Sequence, residues 1–323
     1  MAARFRVPSR IASLLLVASL LIAAAPPQPF AIVASVKGRV DVTAAKGGAT
    51  TVVGFGDALE RGDRLVVAAG GTVTVLFNDG NVVELGERSA MTIGGRADSK
   101  PRADAAPAVS GEVYAGVSQF VTGGSRETGL VALSTLRSGP DSSPLLLTPR
   151  KTELLDGRPS FHWRAVEGAT RYRVSVSGDD GELWNREVAA TMLEYPSDVA
   201  ALTPGGDFLW EVRALSDHGE LRHEETSVRV LAAADADSVR ASLARIGKST
   251  GGPETEAARF LAGSYLFSRG LMGDAGQQLE ALIALAPDSA TPHESLGNVY
   301  RAVGLMDLAA TEYQRALTLR RGR

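Results

Sequence analysis

The chain is 323 residues long and 44% hydrophobic, with 34 Lys and Arg set against 37 Asp and Glu, a formal charge of -3. It has no cysteine, which excludes disulfides, thiol nucleophiles, zinc-thiolate sites and iron-sulfur clusters, so its stability has to come from burial. The length suits about two or three domains, and the mildly acidic balance leaves no nucleic-acid footprint.

At the start, Arg4, Arg6 and Arg10 precede an apolar run over 11–25, followed by Pro26 and Pro27. This is the layout of a secretory signal peptide over 1–25, and the run is too short for a comfortable membrane span. Ala23 and Ala25 satisfy the small-residue rule for cleavage, with a cut near Ala31 as the alternative because Pro26 is a poor residue after the first cut. Cleavage would remove three Arg and no acid, taking the charge from -3 to -6. An uncleaved segment would make the run a membrane anchor instead, and without cysteine no acylated-Cys lipoprotein is expected.

The next block, 30–95, reads as short strands. Val73, Val75 and Phe77 alternate, Asn78, Asp79, Gly80 and Asn81 supply a turn, and Val82, Val83 and Leu85 return. Upstream stand Val36, Gly38 and Val40, then Gly56, Leu59, Gly62, Asp63 and Leu65; Met91 and Ile93 close the block. This order resembles the FecR domain, a β module of bacterial extracytoplasmic proteins with the pattern Gly-x2-Leu-x2-Gly-Asp-x-Leu before a strand, an Asp-Gly turn and another strand. The sequence departs from that family at Ser134, Thr135, Leu136, Arg137 and Ser138, where a Thr-Pro segment and an Arg-Gly-Thr strand would stand. The resemblance implies an all-β fold and a location outside the cytoplasm. The ferric-citrate regulator's signalling role needs a longer cytoplasmic segment than the ten residues before the apolar run.

Segment 94–111 has hardly an apolar side chain and predicts a flexible loop. Val113, Ala115, Val117 and Phe120 beyond it are expected to form one or two further strands, completing a FecR-like domain over 30–137. A Pro- and Ser-rich linker over 138–146 follows. From 147 to 231, Phe161 and Trp163, then Tyr172, Val174 and Val176, then Phe208, Trp210, Val212 and Ala214, alternate along short strands. That spacing predicts two packed antiparallel sheets with Trp163 and Trp210 in the core. With Pro149, Gly168, Ala169, Leu202, Pro204 and Gly205, the segment resembles a fibronectin type III domain over its whole length.

Candidate chemistry is sparse. Gly247, Lys248 and Ser249 lack the glycine that a phosphate loop needs five residues earlier, where Ser242 stands, and fit a helix C-terminus with Gly247 as its left-handed stop. His218 and His223 with Glu220, Glu224 and Glu225 would ligate a metal only if folded back as a hairpin; otherwise they are a solvated strand edge. His162 and His293 are isolated, and no Gly-x-Ser-x-Gly elbow occurs. No catalytic residue, metal site, cofactor or small-molecule substrate is expected, so the chain does not read as an enzyme.

The last block, 233–323, is helical. Val239, Leu243 and Ile246 share one face of a helix over 235–246. Beyond it the chain matches itself at a 34-residue offset: Gly263 with Gly297, Leu266 with Tyr300, Gly270 with Gly304, Ala275 with Ala309, Leu279 with Tyr313, Leu282 with Ala316. That period and the run Leu296, Gly297, Tyr300, Ala309, Tyr313 and Ala316 resemble the tetratricopeptide repeat, with copies at 256–289 and 290–323. Arg259 and His293 replace the family's usual leading Trp. The resemblance implies helix hairpins that bind proteins. Mapped by position, it points to Phe260, Ser264, Phe267, Glu294, Asn298 and Arg301 as partner-binding groove residues, although Phe260 and Phe267 fit a core equally well. Two copies are few for an array. The helix over 235–246 is expected to cover the leading end, while Leu317 and Leu319 would leave an apolar face uncovered at the trailing end. Arg320, Arg321 and Arg323 are expected to be a solvated helix end.

The sequence thus predicts a multidomain β plus α protein: a FecR-like β domain, a fibronectin-like sandwich and tetratricopeptide hairpins. The expected role is a non-catalytic interaction or scaffold protein of the bacterial envelope, periplasmic or secreted, with an envelope protein or another copy of itself as partner. The alternatives are a glycan or cell-wall binder, which would show exposed aromatics on one sheet, and a FecR-type signalling regulator.

Overall fold

The structure, a computed structural model, describes residues 28–95, 108–124 and 143–321. The expected signal peptide, the middle of the loop 94–111, residues 134–138 and the start of the linker lie outside the described residues.

The first module contains β1 (Ala31–Lys37), β2 (Val40–Thr43), β3 (Thr50–Val52), β4 (Ala58–Leu59), β5 (Arg64–Val67), β6 (Thr72–Phe77), β7 (Val82–Leu85) and β8 (Ala90–Thr92). They form two antiparallel sheets, ordered β4-β1-β6-β7 and β3-β2-β5-β8. Ala31, Val33, Val40, Leu59, Leu65, Val73 and Val75 fill the space between them. The expected hairpin pairs Val73 with Leu85 and Val75 with Val83. The aspartate of the Gly-Asp pair ties the turn before β5. Both Asp63 carboxylate oxygens accept backbone N–H groups there, from Ala45 (3.1 Å) and Glu60 (2.8 Å).

One element differs from expectation. Val113, Ala115, Val117 and Phe120 belong to an α-helix, α1 (Gly111–Gly124), and not to strands of the first module. Val113, Val117 and Phe120 are spaced one and two helical turns apart and all are buried, whereas Ala115 is exposed. The apparent alternation therefore came from an exposed alanine, and the helical period of 3.6 wins. Backbone N–H of Val109 donates to the Gly80 carbonyl (2.8 Å), which starts α1 from the β6–β7 turn.

The second module is a β-sandwich built from β9 (Leu146–Thr148), β10 (Thr152–Leu154), β11 (Ser160–Trp163), β12 (Arg171–Gly178), β13 (Gly181–Val188), β14 (Met192–Glu194), β15 (Asp207–Ser216) and β16 (Gly219–Val230). A sheet ordered β10-β16-β15-β12-β13 faces one ordered β14-β11-β9. Phe161, Trp163, Tyr172, Trp184, Tyr195 and Trp210 are all buried in one cluster between the sheets. Trp210 is fully buried and its indole N–H donates to the Pro149 carbonyl (2.7 Å), which satisfies its one polar atom.

The C-terminal region is helical: α2 (Ala233–Ser249), α3 (Glu256–Ser268), α4 (Met272–Leu285), α5 (Ala290–Ala302) and α6 (Met306–Arg321). α3 and α5 begin 34 residues apart, and so do α4 and α6. At the matched positions a Cβ on Gly263 would lie 3.0 Å from Leu279 Cγ, and one on Gly297 would lie 2.6 Å from Tyr313 Cε1. In each hairpin, then, a glycine on the first helix admits a large side chain from the second, which is the physical content of the self-match. Ala236, Val239 and Ile246 place α2 in the same apolar cluster as α3, at the leading end of the hairpins. α2 runs past Gly247, contrary to expectation: its Cβ position lies within van der Waals reach of Pro253 (3.4 Å), and the left-handed stop is Gly251, with φ 80°.

The trailing end is also different from expectation. On α6 the exposed positions include Thr311, Gln314, Arg315, Thr318, Arg320 and Arg321, with Leu317 and Met306 as large apolar exceptions, while Leu319 is half-buried. The outer face is therefore mostly polar, and no broad apolar surface is left bare there among the described residues.

What positions the helices is a shared core. Ile32, Ala34 and Leu76 on the outer face of the first module's β1–β6 sheet join α1, α2, α3, α4 and α5 in one apolar cluster. α3 packs directly on β1 of that sheet and α1 packs along α3; Gly116 permits this approach, since a Cβ there would sit 2.3 Å from Ser268 Oγ. The second module meets the hairpins through polar contacts at their turns. Glu153 N–H donates to the Gly270 carbonyl (3.0 Å), Met272 N–H to Thr152 Oγ1 (2.8 Å), and Arg150 Nε to the Val303 carbonyl (3.0 Å).

Candidate functional site

The first helices of the two hairpins, α3 and α5, turn the same side toward the first module. α1 and the turn at Phe55, Gly56 and Asp57 roof that side, so what remains is a pair of adjoining cavities and not an open groove. The first, about 230 Å³, is lined by Phe55, Asp57, Phe260, Glu294, Ser295, Asn298 and Arg320 among others. The second, about 270 Å³, lies beside Gln119, Phe120, Phe267, Ser268, Asn298 and Arg301. Phe120 and Asn298 border both.

Of the six residues expected to bind a partner, five line this pair of cavities. Phe260 is 1% exposed and packs edge-on against Phe55 (6.1 Å between centroids), so it belongs to the core while its edge still reaches the first cavity. Phe267 packs on Phe120 (4.9 Å). Glu294 forms an ion pair with Arg320. Asn298 Oδ1 accepts from the Tyr313 hydroxyl (2.8 Å), which leaves its NH2 group as what it can offer a ligand. Arg301 is half-buried on the second cavity. Ser264 is a correction: it is completely buried, its hydroxyl has no hydrogen-bond partner, and it lines neither cavity.

Sequence reading missed Asp57, Ser295 and Arg320. Asp57 comes from a turn more than 200 residues before α5, and nothing local marks it. Burial raises its carboxyl above the usual range, partly offset by a hydrogen bond from Gly54 N–H (2.7 Å) and by the charge of Arg320. Arg320 is exposed at the helix end, as expected, and from there pairs with Glu294; its side chain is 55% exposed against 16% for Glu294.

A third cavity, about 280 Å³ and mainly apolar, lies between the second module and α4, α5 and α6, with His162 and Arg150 on one side and Glu280 and Tyr300 on the other. The Tyr300 hydroxyl donates to Glu280 (3.1 Å), and burial, then the Glu280 charge, raises its pKa. Beside it, burial and then the Asp156 charge push the Asp274 carboxyl up to about 6. His223 meets Glu220 (2.7 Å) at the exposed end of β16, and among the described residues no three His, Asp or Glu side chains converge as metal ligands. Among the described residues, no helix is long and apolar enough to cross a membrane.

No family model matches the sequence, and no curated protein matches it. Among solved structures, the chain is similar to a two-domain fibronectin type III segment of chicken tenascin, at 12% identity over 59% of this chain and 82% of that one, with a TM-score of 0.20. A superposition that weak carries no argument; the sandwich description rests on the strands and core of this chain.

Proposed function

We propose that the chain is a non-catalytic interaction protein of the bacterial envelope, periplasmic or secreted, with a FecR-like first module, a fibronectin-like sandwich and two tetratricopeptide hairpins. It holds another envelope protein, or another copy of itself, through the side of α3 and α5 that faces α1. The observation carrying this reading is the pair of cavities that meet at Asn298: they hold hydrogen-bonding and charged groups with aromatic rims, suited to polypeptide side chains. The glycan alternative draws less support, because the aromatic rings of the sandwich are buried in its core and do not form a stacking platform on a sheet.

The test is crosslinking in cells followed by mass spectrometry on the full chain and on an Asn298→Ala/Arg301→Ala variant. Partners captured by the wild type are expected to fall at least about tenfold with the variant, the effect of losing one buried polar contact of ~1.4 kcal/mol or more. Unchanged capture would move binding to another surface.

A further inference from the structure

Each hairpin is tight within itself, while the contact between the two leaves a gap. Within the hairpins a Cβ on Gly263 would lie 3.0 Å from Leu279 and one on Gly297 2.6 Å from Tyr313; between them, a Cβ on Gly276 of α4 would still be 3.9 Å from Val299 of α5. The third cavity, about 280 Å³, reaches into that contact, lined by Met272, Gly273 and Gly276 of α4 and by Val299, Tyr300 and Val303 of α5. Such a gap forfeits the dispersion contacts that would otherwise fix one helix against the next. The chain joins the hairpins at one end only, through 286–289. The turns inside the hairpins lie at the other end, about 20 Å away along the 14 residues of α4.

There one short segment of the second module reaches both turns. The turns are alike: Gly270 and Gly304 hold matched repeat positions with φ 78° and 84°, and the N–H after each donates back into the preceding helix, Leu271 to Leu266 (3.0 Å) and Leu305 to Tyr300 (2.8 Å). Arg150 Nε donates to the Val303 carbonyl (3.0 Å) in the second turn. Thr152 Oγ1, which also reaches its neighbour's carbonyl (2.8 Å), and the Glu153 N–H meet the Gly270 carbonyl (3.1 and 3.0 Å) in the first. Thr152 Oγ1 accepts from Met272 N–H as well (2.8 Å), so a hydroxyl of the second module caps α4, whose own N-cap residue Leu271 supplies none. Arg150 is itself held, because its Nη1 donates to Glu224 (2.6 Å), whose carboxylate also accepts from Leu146 N–H (3.2 Å). Between the two attachments Lys151 has φ 45°, a left-handed conformation that costs any residue but glycine free energy and persists where both neighbours are held.

We propose that residues 150–153 are a strap that sets the spacing of the two hairpins at their turn end, and with it the width of the second cavity, so that the second module positions the partner-binding side of α3 and α5. Ser268 lines that cavity two residues before Gly270, and Arg301 lines it two residues before Val303, so the strap is attached next in the chain to each of its two sides. Arg150 and Thr152 do not themselves line the second cavity and act as positioning residues. The consequence for partners rests on the function proposed above; the spacing does not.

The chain has no cysteine, so introduced pairs carry the only spin labels. Ala115→Cys on α1 with Ala302→Cys at the end of α5 reports across the second cavity, and Leu285→Cys with Leu317→Cys reports the joined end of the hairpins; all four side chains are exposed. In the purified full chain, Thr152→Val is expected to shift the Ala115–Ala302 distance by about 2 Å or to widen its distribution roughly twofold. Arg150→Gln/Thr152→Val should do more and Thr152→Ser should keep the wild-type value, while the Leu285–Leu317 distance stays constant. Crosslinked partner is expected to fall roughly threefold with Thr152→Val. Thr152→Val alone decides the matter should the double variant lose the near-ultraviolet circular dichroism of the second module. An unmoved Ala115–Ala302 distance in folded Thr152→Val, or an equal change at both pairs, would overturn the strap. With that result, loss of partner in Asn298→Ala/Arg301→Ala would leave the proposed function standing and remove only the strap. A moved distance with partner capture unchanged would overturn the strap's role in binding.

Discussion

The two β modules are each built from two packed sheets and solve the same packing problem differently. In β12 of the second module exposed Arg171 and Arg173 alternate with buried Tyr172, Val174 and Val176, and every ring the sheet turns inward joins a core confined to 145–230. In β1 of the first module Ala31, Ile32, Val33 and Ala34 are all buried, because Ala31 and Val33 face the partner sheet while Ile32 and Ala34 face α1 and the C-terminal helices. Alternation marks a sheet that can stand in water on one side; an unbroken apolar run marks a sheet with two covered faces. The second module is thus self-sufficient, and the first is completed by α1 and by C-terminal helices that begin only at Ala233.

Removing 254–323 should separate the two modules most sharply. The deletion strips the cover from Ile32, Ala34 and Leu76 and is expected to unfold or aggregate the first module, while the second keeps its near-ultraviolet circular dichroism from Trp163, Trp184 and Trp210. Limited proteolysis should then leave a resistant fragment close to 143–231; an equally resistant first module would contradict the dependence. The same truncation is a poor test of partner binding, since it destroys more than the hairpins.

Paired point substitutions probe the difference at single residues. Trp210→Ala is expected to cost about 3–5 kcal/mol in the second module alone, and Ile32→Ala about 2–5 kcal/mol in the first module and the helices together. Differential scanning calorimetry should show the two variants shifting different transitions; a common shift would mean that one cooperative unit spans the whole chain.

A smaller effect lies at the seam between the second module and the hairpins, where Asp274 is held at a pKa of about 6, raised from 3.8 by burial and by Asp156. An acid whose folded pKa is raised binds more protons folded than unfolded, so stability is expected to fall as pH climbs from 3.8 to about 6. The loss is at most about 3 kcal/mol. Asp274→Asn should flatten that segment of the urea-midpoint profile and be the more stable protein at pH 7; a variant that keeps the wild-type slope would place the titration elsewhere.

Much of this architecture was legible in the residues. The Asn78–Asn81 turn, the alternation through Trp210, and the glycines that admit Leu279 and Tyr313 are local signals, each tied to a period or a backbone need that recurs within a few residues. That Phe260, Phe267, Glu294, Asn298 and Arg301 would share one side of the hairpins was legible too, because a 34-residue repeat carries helix faces along with it. The burial of Ser264 was not, since a helix face alone does not tell an outward position from one under a roof. Asp57 and Arg320 were not, because each reaches the cavity from an element remote in sequence.

Most element types, the paired helices at a 34-residue spacing and the absence of sulfur chemistry follow from the residues alone, through composition and through periods of two, 3.6 and 34. Long-range packing settled the rest: that 111–124 is a helix packed along α3, that the groove is roofed, and that Arg320 pairs with Glu294. Short apolar segments satisfy more than one period, and burial on a second face is decided by whatever distant surface arrives to cover it.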